Sequence, residues 1–451
     1  MLPTEKFRGR GYVVQYLHFA NVEAYCPVLP NNVAKKEHDY SNRYVFEAEW
    51  YDQVACMLKK FYLYYYPSDN TVELFDLKTK KTFLRRTTCE GITAKDFYVG
   101  TVITIFSRCI KITGYADTCT KTKLETQLQK VFVFLKPDVI DKMGEILKAI
   151  INYDFYITNI KMIRLTPNDI AECNLVKDEI DKTSVINYLI SGPVVALELL
   201  GGNGIMRWQE LAGPEDSKDA RSIAASSLRA CYGKDDIHNA VYGSKDTETA
   251  MQELQYFFPD SKCKNKGLKN TATLQNCTCC IIKPHAVQEG LLGAIFDDIQ
   301  KAGYTITAVQ QFYVNPINSE EFLEIYKGVL PEYTAMVAEL QSGPCIVMEV
   351  SHKDESPNIV ADFRNLCGPM DPDIARQIRP NTLRAKYGKT KVQNAIHCSD
   401  LPEDGILEVI TILITFVTCF SYVIYVCWIF PGGIFLQNTR WNLNQIYSYI
   451  T

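Results

Sequence analysis

The chain has 451 residues, 47% hydrophobic and 22% charged, with a formal net charge of −4. That length accommodates about three domains, and the slight acidity removes the electrostatic case for nucleic acid or an anionic membrane surface as the main partner. The 16 cysteines are spread along the chain and Lys6, Arg8 and Arg10 lead into no apolar core, so they read as reduced thiols of a cytosolic protein, not a secreted disulfide scaffold. In chain order, residues 1–41 carry Pro27, Pro30, Asn31 and Asn32 and read as an irregular extension. Residues 42–120 are β-rich: strands are expected at 44–46, 49–51, 61–66, 72–75, 82–86 and 102–107, with Pro67-Ser68-Asp69-Asn70 as a turn. No catalytic constellation stands there. Tyr62, Tyr64, Lys80, Lys81, Arg85 and Arg86 could meet an acidic partner, although the plainer reading has the tyrosines packing the sheet and the charges solvating its edges.

From residue 126 onward the chain repeats itself. Lys136-Pro137-Asp138 answers Lys283-Pro284-His285, Ser191-Gly192-Pro193 answers Ser342-Gly343-Pro344, and Leu228-Arg229 answers Leu383-Arg384. One duplicated module therefore occupies 126–260 and again 273–409, joined by a basic, polar linker at 261–272 that contains Gly267. Each copy opens with a buried strand, at 131–135 or 279–282. A helix follows, containing Gly144-Glu145-Ile146-Leu147 or Gly293-Ala294-Ile295-Phe296, and then a second strand at 156–162 or 304–313. Cys277, Cys279 and Cys280 lack a second ligand pair at zinc spacing and read as buried strand residues, so no metal is assigned to the protein. The copies part at one position: Asn394 to Asp400 reads NAIHCSD, whereas Asn239 to Asp246 reads NAVYGSKD, with Tyr242 where the second copy has His397.

These motifs, in this order, resemble the nucleoside diphosphate kinase family, whose pattern runs from Lys-Pro-Asp through Ser-Gly-Pro to Asn-x-x-His-Gly-Ser-Asp. Residues 42–117 are similar to the DM-ten domain, the doublet-microtubule type. The resemblance implies an α+β chain: a β-rich, PH-like DM-ten domain followed by two ferredoxin-like kinase domains, each an antiparallel sheet with helices covering one face.

It also implies a site in the second module. His397 stands where the family has its nucleophile, and imidazole, with an ordinary pKa of about 6.5, is mostly neutral at neutral pH. Glu408 matches the carboxylate that holds the histidine, and Ser399 the supporting hydroxyl. Lys283, Arg364 and Arg384 match the cations that surround a transferring phosphoryl group. Asn394 matches the residue that reads the ribose hydroxyl, Tyr326 the tyrosine near the lysine, and Tyr333 is the expected base-stacking aromatic. Met370 replaces a threonine that contacts phosphate. The ligand implied is ATP or GTP with Mg2+.

In the first module Tyr242 and Gln209 replace the nucleophile and one cation, Asp181 or a neighbour lies in the base-stacking region, and His238 falls four residues too early. A phenol with an ordinary pKa of about 10 is protonated at neutral pH and a poor acceptor for reversible phosphotransfer, so this copy reads as a pseudokinase that binds nucleotide weakly or packs as a structural block. The tail at 410–451 departs from the family. The uncharged run 409–430 is long enough to span a bilayer, about 20 residues being needed, yet it begins one residue after Glu408. That proximity makes a membrane anchor the poorer reading against an altered C-terminus. The resemblance implies a structural protein inside ciliary doublet microtubules. Its partners would be tubulin, other axonemal inner proteins and the gamma-tubulin complex, and its places the axoneme, the cytoplasmic cytoskeleton and the centrosome or basal body. Residual kinase or autophosphorylation activity would sit in the second module. The competing expectation is an active nucleoside diphosphate kinase working through phosphohistidine.

Overall fold

The computed structural model describes residues 43–415 apart from 53–54, 56, 90–91, 93, 107, 177–181, 260–267, 269, 315 and 353–357. The N-terminal extension, Asp181, most of the linker and the tail beyond 415 therefore lie outside the described residues.

Six strands form an antiparallel sheet: β1 (Tyr44–Asp52), β2 (Met57–Tyr66), β3 (Thr71–Asp76), β4 (Lys81–Thr88), β5 (Val102–Ile105) and β6 (Arg108–Tyr115), in the order β4-β3-β2-β1-β6-β5. Alternation builds it. Phe61, Leu63 and Tyr65 point inward along β2 to meet Phe46, Phe97, Ile110 and Ile112, and the Tyr65 and Phe97 rings stack at 4.0 Å. The two short strands expected at 44–46 and 49–51 are one continuous β1. Strand β6 went unanticipated, although buried Ile110 and Ile112 around exposed Lys111 are its signal. Of the residues considered for an acidic partner, Arg86 is engaged internally. It lies 3.7 Å from the Tyr66 ring centroid and donates to Asp69 at 2.7 Å.

The two repeats build a single eight-stranded sheet. The first contributes β7 (Gln129–Leu135), β8 (Tyr156–Arg164), β9 (Pro193–Gly201) and β10 (Val241–Gly243). The second contributes β11 (Cys277–Ile282), β12 (Tyr304–Phe312), β13 (Cys345–His352) and β14 (Ile396–Cys398). The order β10-β7-β9-β8-β12-β13-β11-β14 joins them at the β8–β12 seam, where Gln310 pairs with Lys161. Gln311 Nε2 reinforces the seam by donating to Thr158 O at 2.7 Å.

Beside the seam the helices Met143–Asn152 and Leu292–Lys301 cross. A Cβ on Gly144 would stand 2.2 Å from Asp297 N, and one on Gly293 would stand 2.4 Å from Lys148 N. Only glycine permits that approach. Gly144 N then donates to Gln300 Oε1 at 2.8 Å, and Lys148 Nζ meets Asp297 Oδ2 at 2.9 Å.

Helices cover both faces of the sheet, not one as expected. Along β7, Val131, Val133 and Leu135 face one core while Phe132 and Phe134 face a second with Leu254 and Phe257 of the helix Thr247–Phe257. In the second module Cys279 and Ile281 likewise meet the helix Tyr333–Gln341 through Met336 and Leu340. Cys277, Cys279 and Cys280 are all buried, and among the described residues no group of three or more His, Cys, Asp or Glu could hold a metal. The six-stranded sheet docks on the second module, where Thr104 Oγ1 donates to Ser342 O at 2.9 Å. The start of the apolar run belongs to the packed module: Val409, Ile412 and Leu413 are buried, and Asn270 Nδ2 donates to Leu413 O at 3.0 Å. No helix among the described residues is long and apolar enough to cross a membrane.

Candidate functional site

His397 lies on β14, a three-residue edge strand. The turn into it is strained: Ala395 holds a φ of 68°, as Ala240 holds 69° in the other copy, and the left-handed region is uncommon for residues other than glycine. Lys283 N donates to Ala395 O at 2.9 Å and secures the turn. The His397 Nε2–H donates to Glu408 Oε2 at 3.1 Å, and Ser399 Oγ donates to the same oxygen at 2.7 Å. The backbone N–H of Cys279 in turn donates to Ser399 Oγ at 3.2 Å. This arrangement selects the tautomer and leaves Nδ1, with its lone pair, as the nitrogen available to the cavity. Burial disfavours the imidazolium, but the Glu408 carboxylate outweighs it and the histidine pKa lies above its ordinary value.

The cavity beside His397 has a volume of about 720 Å3, within the range of small-molecule sites. Lys283, Tyr326, Arg364, Met370, Arg384, Asn394 and His397 all line it. Glu408 and Ser399 stand behind the histidine as its support. Tyr333 does not line the cavity. Its hydroxyl donates to Glu320 O at 3.4 Å, and Val329 and Leu330, from the segment before its helix, line the cavity instead. The expected base-stacking role for Tyr333 is therefore corrected: an aliphatic loop forms that wall.

The cations differ in freedom. Lys283 Nζ donates to Val392 O at 2.8 Å, and burial with Arg384 nearby pushes its pKa down to about 8. Arg384 is buried, donating to Gly368 O at 2.8 Å and Ile396 O at 3.3 Å. Their counterparts Lys136 and Arg229 make the matching bonds to Ile237 O and Gly213 O in the first module, so both residues also hold the fold. Arg364 is half exposed and pairs with Asp400 Oδ1 at 3.3 Å, and Tyr326 also donates to Asp400. Asp400 is a lining carboxylate that the sequence reading passed over. Arg379 was passed over as well: it lines the cavity and donates to Asn365 Oδ1 at 3.2 Å. The first copy has Ala224 in that place, and that contrast was its sequence signal. Asn394 Nδ2 donates to Met370 O at 3.0 Å, while its Oδ1 is buried without a hydrogen-bond partner among the described residues.

The first module keeps the frame but not the nucleophile. The Tyr242 ring stacks on Phe134 at 4.7 Å, and its hydroxyl donates to Glu253, the counterpart of Glu408, as does Ser244. Burial and then the Glu253 charge hold the phenol pKa well above its ordinary value, so it presents no phenolate. Gln209, in place of Arg364, donates to Lys245 O at 3.4 Å.

A nucleophilic imidazole backed by a carboxylate, facing a cavity ringed by fixed cations, is a phosphoryl-transfer arrangement. The nucleoside diphosphate kinase family model matches residues 129–263 and again 276–415, and the chain belongs to that family. It is similar to the nucleoside diphosphate kinase homolog 7 of Rattus norvegicus, 44% identical over 85% of this chain and 95% of that one. The homolog 7 of Mus musculus is 43% identical over 82% of this chain and 92% of its own. Among solved structures, the nucleoside diphosphate kinase of Aquifex aeolicus matches 28% of this chain and 92% of its own at 35% identity, with a TM-score of 0.27.

Proposed function

We propose that the protein is a structural component of ciliary doublet microtubules that keeps one competent phosphotransfer site. The observation that carries this reading is the asymmetry of the fused pair: Tyr242 stands in place of the nucleophile in one copy, whereas the other assembles His397, Glu408 and the cavity cations. Two kinase modules sharing one sheet, with a third unit docked on the second, make a composite block suited to a lattice. The DM-ten resemblance supplies tubulin of the doublet wall as the partner, with other inner proteins and the gamma-tubulin complex beside it.

At the competent site, ATP or GTP enters with Mg2+, the ion the family uses with its nucleotide. Among the described residues no group of three or more His, Cys, Asp or Glu would hold the ion; brought in with the nucleotide, it would compensate phosphate charge. His397 Nδ1 attacks the terminal phosphorus, the bond to the leaving diphosphate oxygen breaks, and Glu408 stabilises the imidazolium that forms. Lys283, Arg364 and Arg384 compensate charge on the transferring group, and Asn394 Oδ1 accepts from a ribose hydroxyl. A nucleoside diphosphate then takes the phosphoryl group by the reverse path.

Incubation of the full chain with labelled nucleoside triphosphate tests the site: label should be acid-labile, stable to alkali and absent from His397→Ala. Retention on salt-washed doublets tests the structural role. Deleting residues 42–117 should release the protein, and unchanged retention would sink that part of the proposal.

A further inference from the structure

The residue after His397 is cysteine, where the family motif and the first copy, at Gly243, have glycine. A side chain could not be accepted in the first copy, since a Cβ on Gly243 would stand 1.8 Å from Trp208 Nε1. The second copy has Phe363 in place of Trp208, which removes that indole nitrogen, and Cys367 in place of Ala212. Three substitutions at matching positions thus make room for one thiol and set another beside it. Cys398 and Cys367 belong to the same buried core, and their thiols interact directly. Cys398 also lines the cavity and lies 3.6 Å from Arg384 Nη2.

We propose that Cys398 and Cys367 form a peroxide-sensitive dithiol, a modification site beneath the nucleophilic histidine. A hydrogen bond from Cys367 and the charges of Arg384 and His397 favour the Cys398 thiolate over the opposing effect of burial, while Cys367 is held in its thiol form. A low-pKa thiolate near guanidinium and imidazole is the reactive kind. The Cys398 sulfur attacks a peroxide oxygen, the O–O bond breaks, and hydroxide leaves behind a sulfenic acid. The Cys367 sulfur then displaces water from it, giving the disulfide, so two thiols and one hydrogen peroxide yield one disulfide and two waters. The cross-link would tie β14 to the helix Ile359–Cys367, the elements that carry His397 and Arg364, and remove the sulfur from Arg384. Phosphotransfer is then lost until a dithiol reductant restores it. Only this effect on activity rests on the phosphotransfer reading; the chemistry of the thiol pair does not.

The test treats the full chain with hydrogen peroxide, followed by peptide mass mapping without reduction and by the nucleotide-labelling assay. A linked peptide pair containing Cys367 and Cys398 is expected, together with loss of histidine label that dithiothreitol reverses. Cys367→Ala, which installs the first copy's residue, should label normally before treatment and form no such link. If that variant fails to fold, Cys367→Ser serves. Oxidation at other cysteines with no Cys367–Cys398 link would overturn the inference. If the untreated protein takes no label, the phosphotransfer reading fails, while the mapped link still decides the dithiol.

Discussion

Replacing Gly144 by alanine should destabilise the protein by about 3 kcal/mol. At an exposed helix position the same change stabilises, because alanine is the better helix former by about 1 kcal/mol. Here the new methyl would stand 2.2 Å from Asp297 N and 2.4 Å from Asp297 Cα, against roughly 3.5–4 Å for an optimal heavy-atom contact. The obstruction is backbone, so the two helices must part by more than an ångström. Overpacking of that kind costs about 3 kcal/mol, and losing the Gly144 N to Gln300 Oε1 bond adds about 1 kcal/mol. Subtracting the propensity gain leaves about 3 kcal/mol. The assay is urea unfolding of the full chain followed by fluorescence of buried Trp208, comparing midpoints at equal slope. Gly293→Ala should behave alike, and the double variant should cost less than the sum because both act at one crossing. A neutral or stabilising Gly144→Ala would refute the close approach.

Further outcomes concern the site. Protonation removes the Nδ1 lone pair, and Glu408 holds the His397 pKa above its ordinary value, so labelling should rise with pH through a midpoint above that of free imidazole. In Glu408→Gln the midpoint should fall and the rate drop at saturating nucleotide; an unmoved midpoint in a pH–rate profile would refute the orienting role. Tyr242→His alone should give the first module no label in a His397→Ala background, because Gln209 and Ala224 leave two of the cations missing, and acid-labile label there would show otherwise. Ala395→Gly should stabilise by about 1 kcal/mol, by relieving a positive φ, unless a melt shows the turn to be unstrained.

Much of the site was legible because its chemistry sits in short, ordered motifs. His397, Lys283, Arg384 and Asn394 each stand in a segment repeated within the chain, and the fold brings them to one cavity. Tyr333 failed because the residues just before its helix, Val329 and Leu330, take that wall, and spacing along a chain does not report direction in space. Arg379 and Asp400 were missed for the opposite reason: neither belongs to a position for which the motif assigns a role. The glycines at 144 and 293 were visible as a repeat, but their purpose appears only when the two helices are set against each other. The β8–β12 seam left no local signal, since Lys161 and Gln310 are ordinary strand residues until paired.

Fusing the two copies through β8 and β12 makes each half the other's permanent neighbour. In a homodimer of separate chains every substitution appears on both sides of the symmetry axis at once, so a residue that ruins catalysis ruins it twice. Here the covalent link breaks that obligation and removes the concentration dependence of pairing. The first half could exchange its histidine for a tyrosine while still covering the seam edge of the second. The loss of an imidazole at Tyr242 is thus a freedom conferred by tandem architecture: one half keeps the histidine and the other is left to specialise in shape.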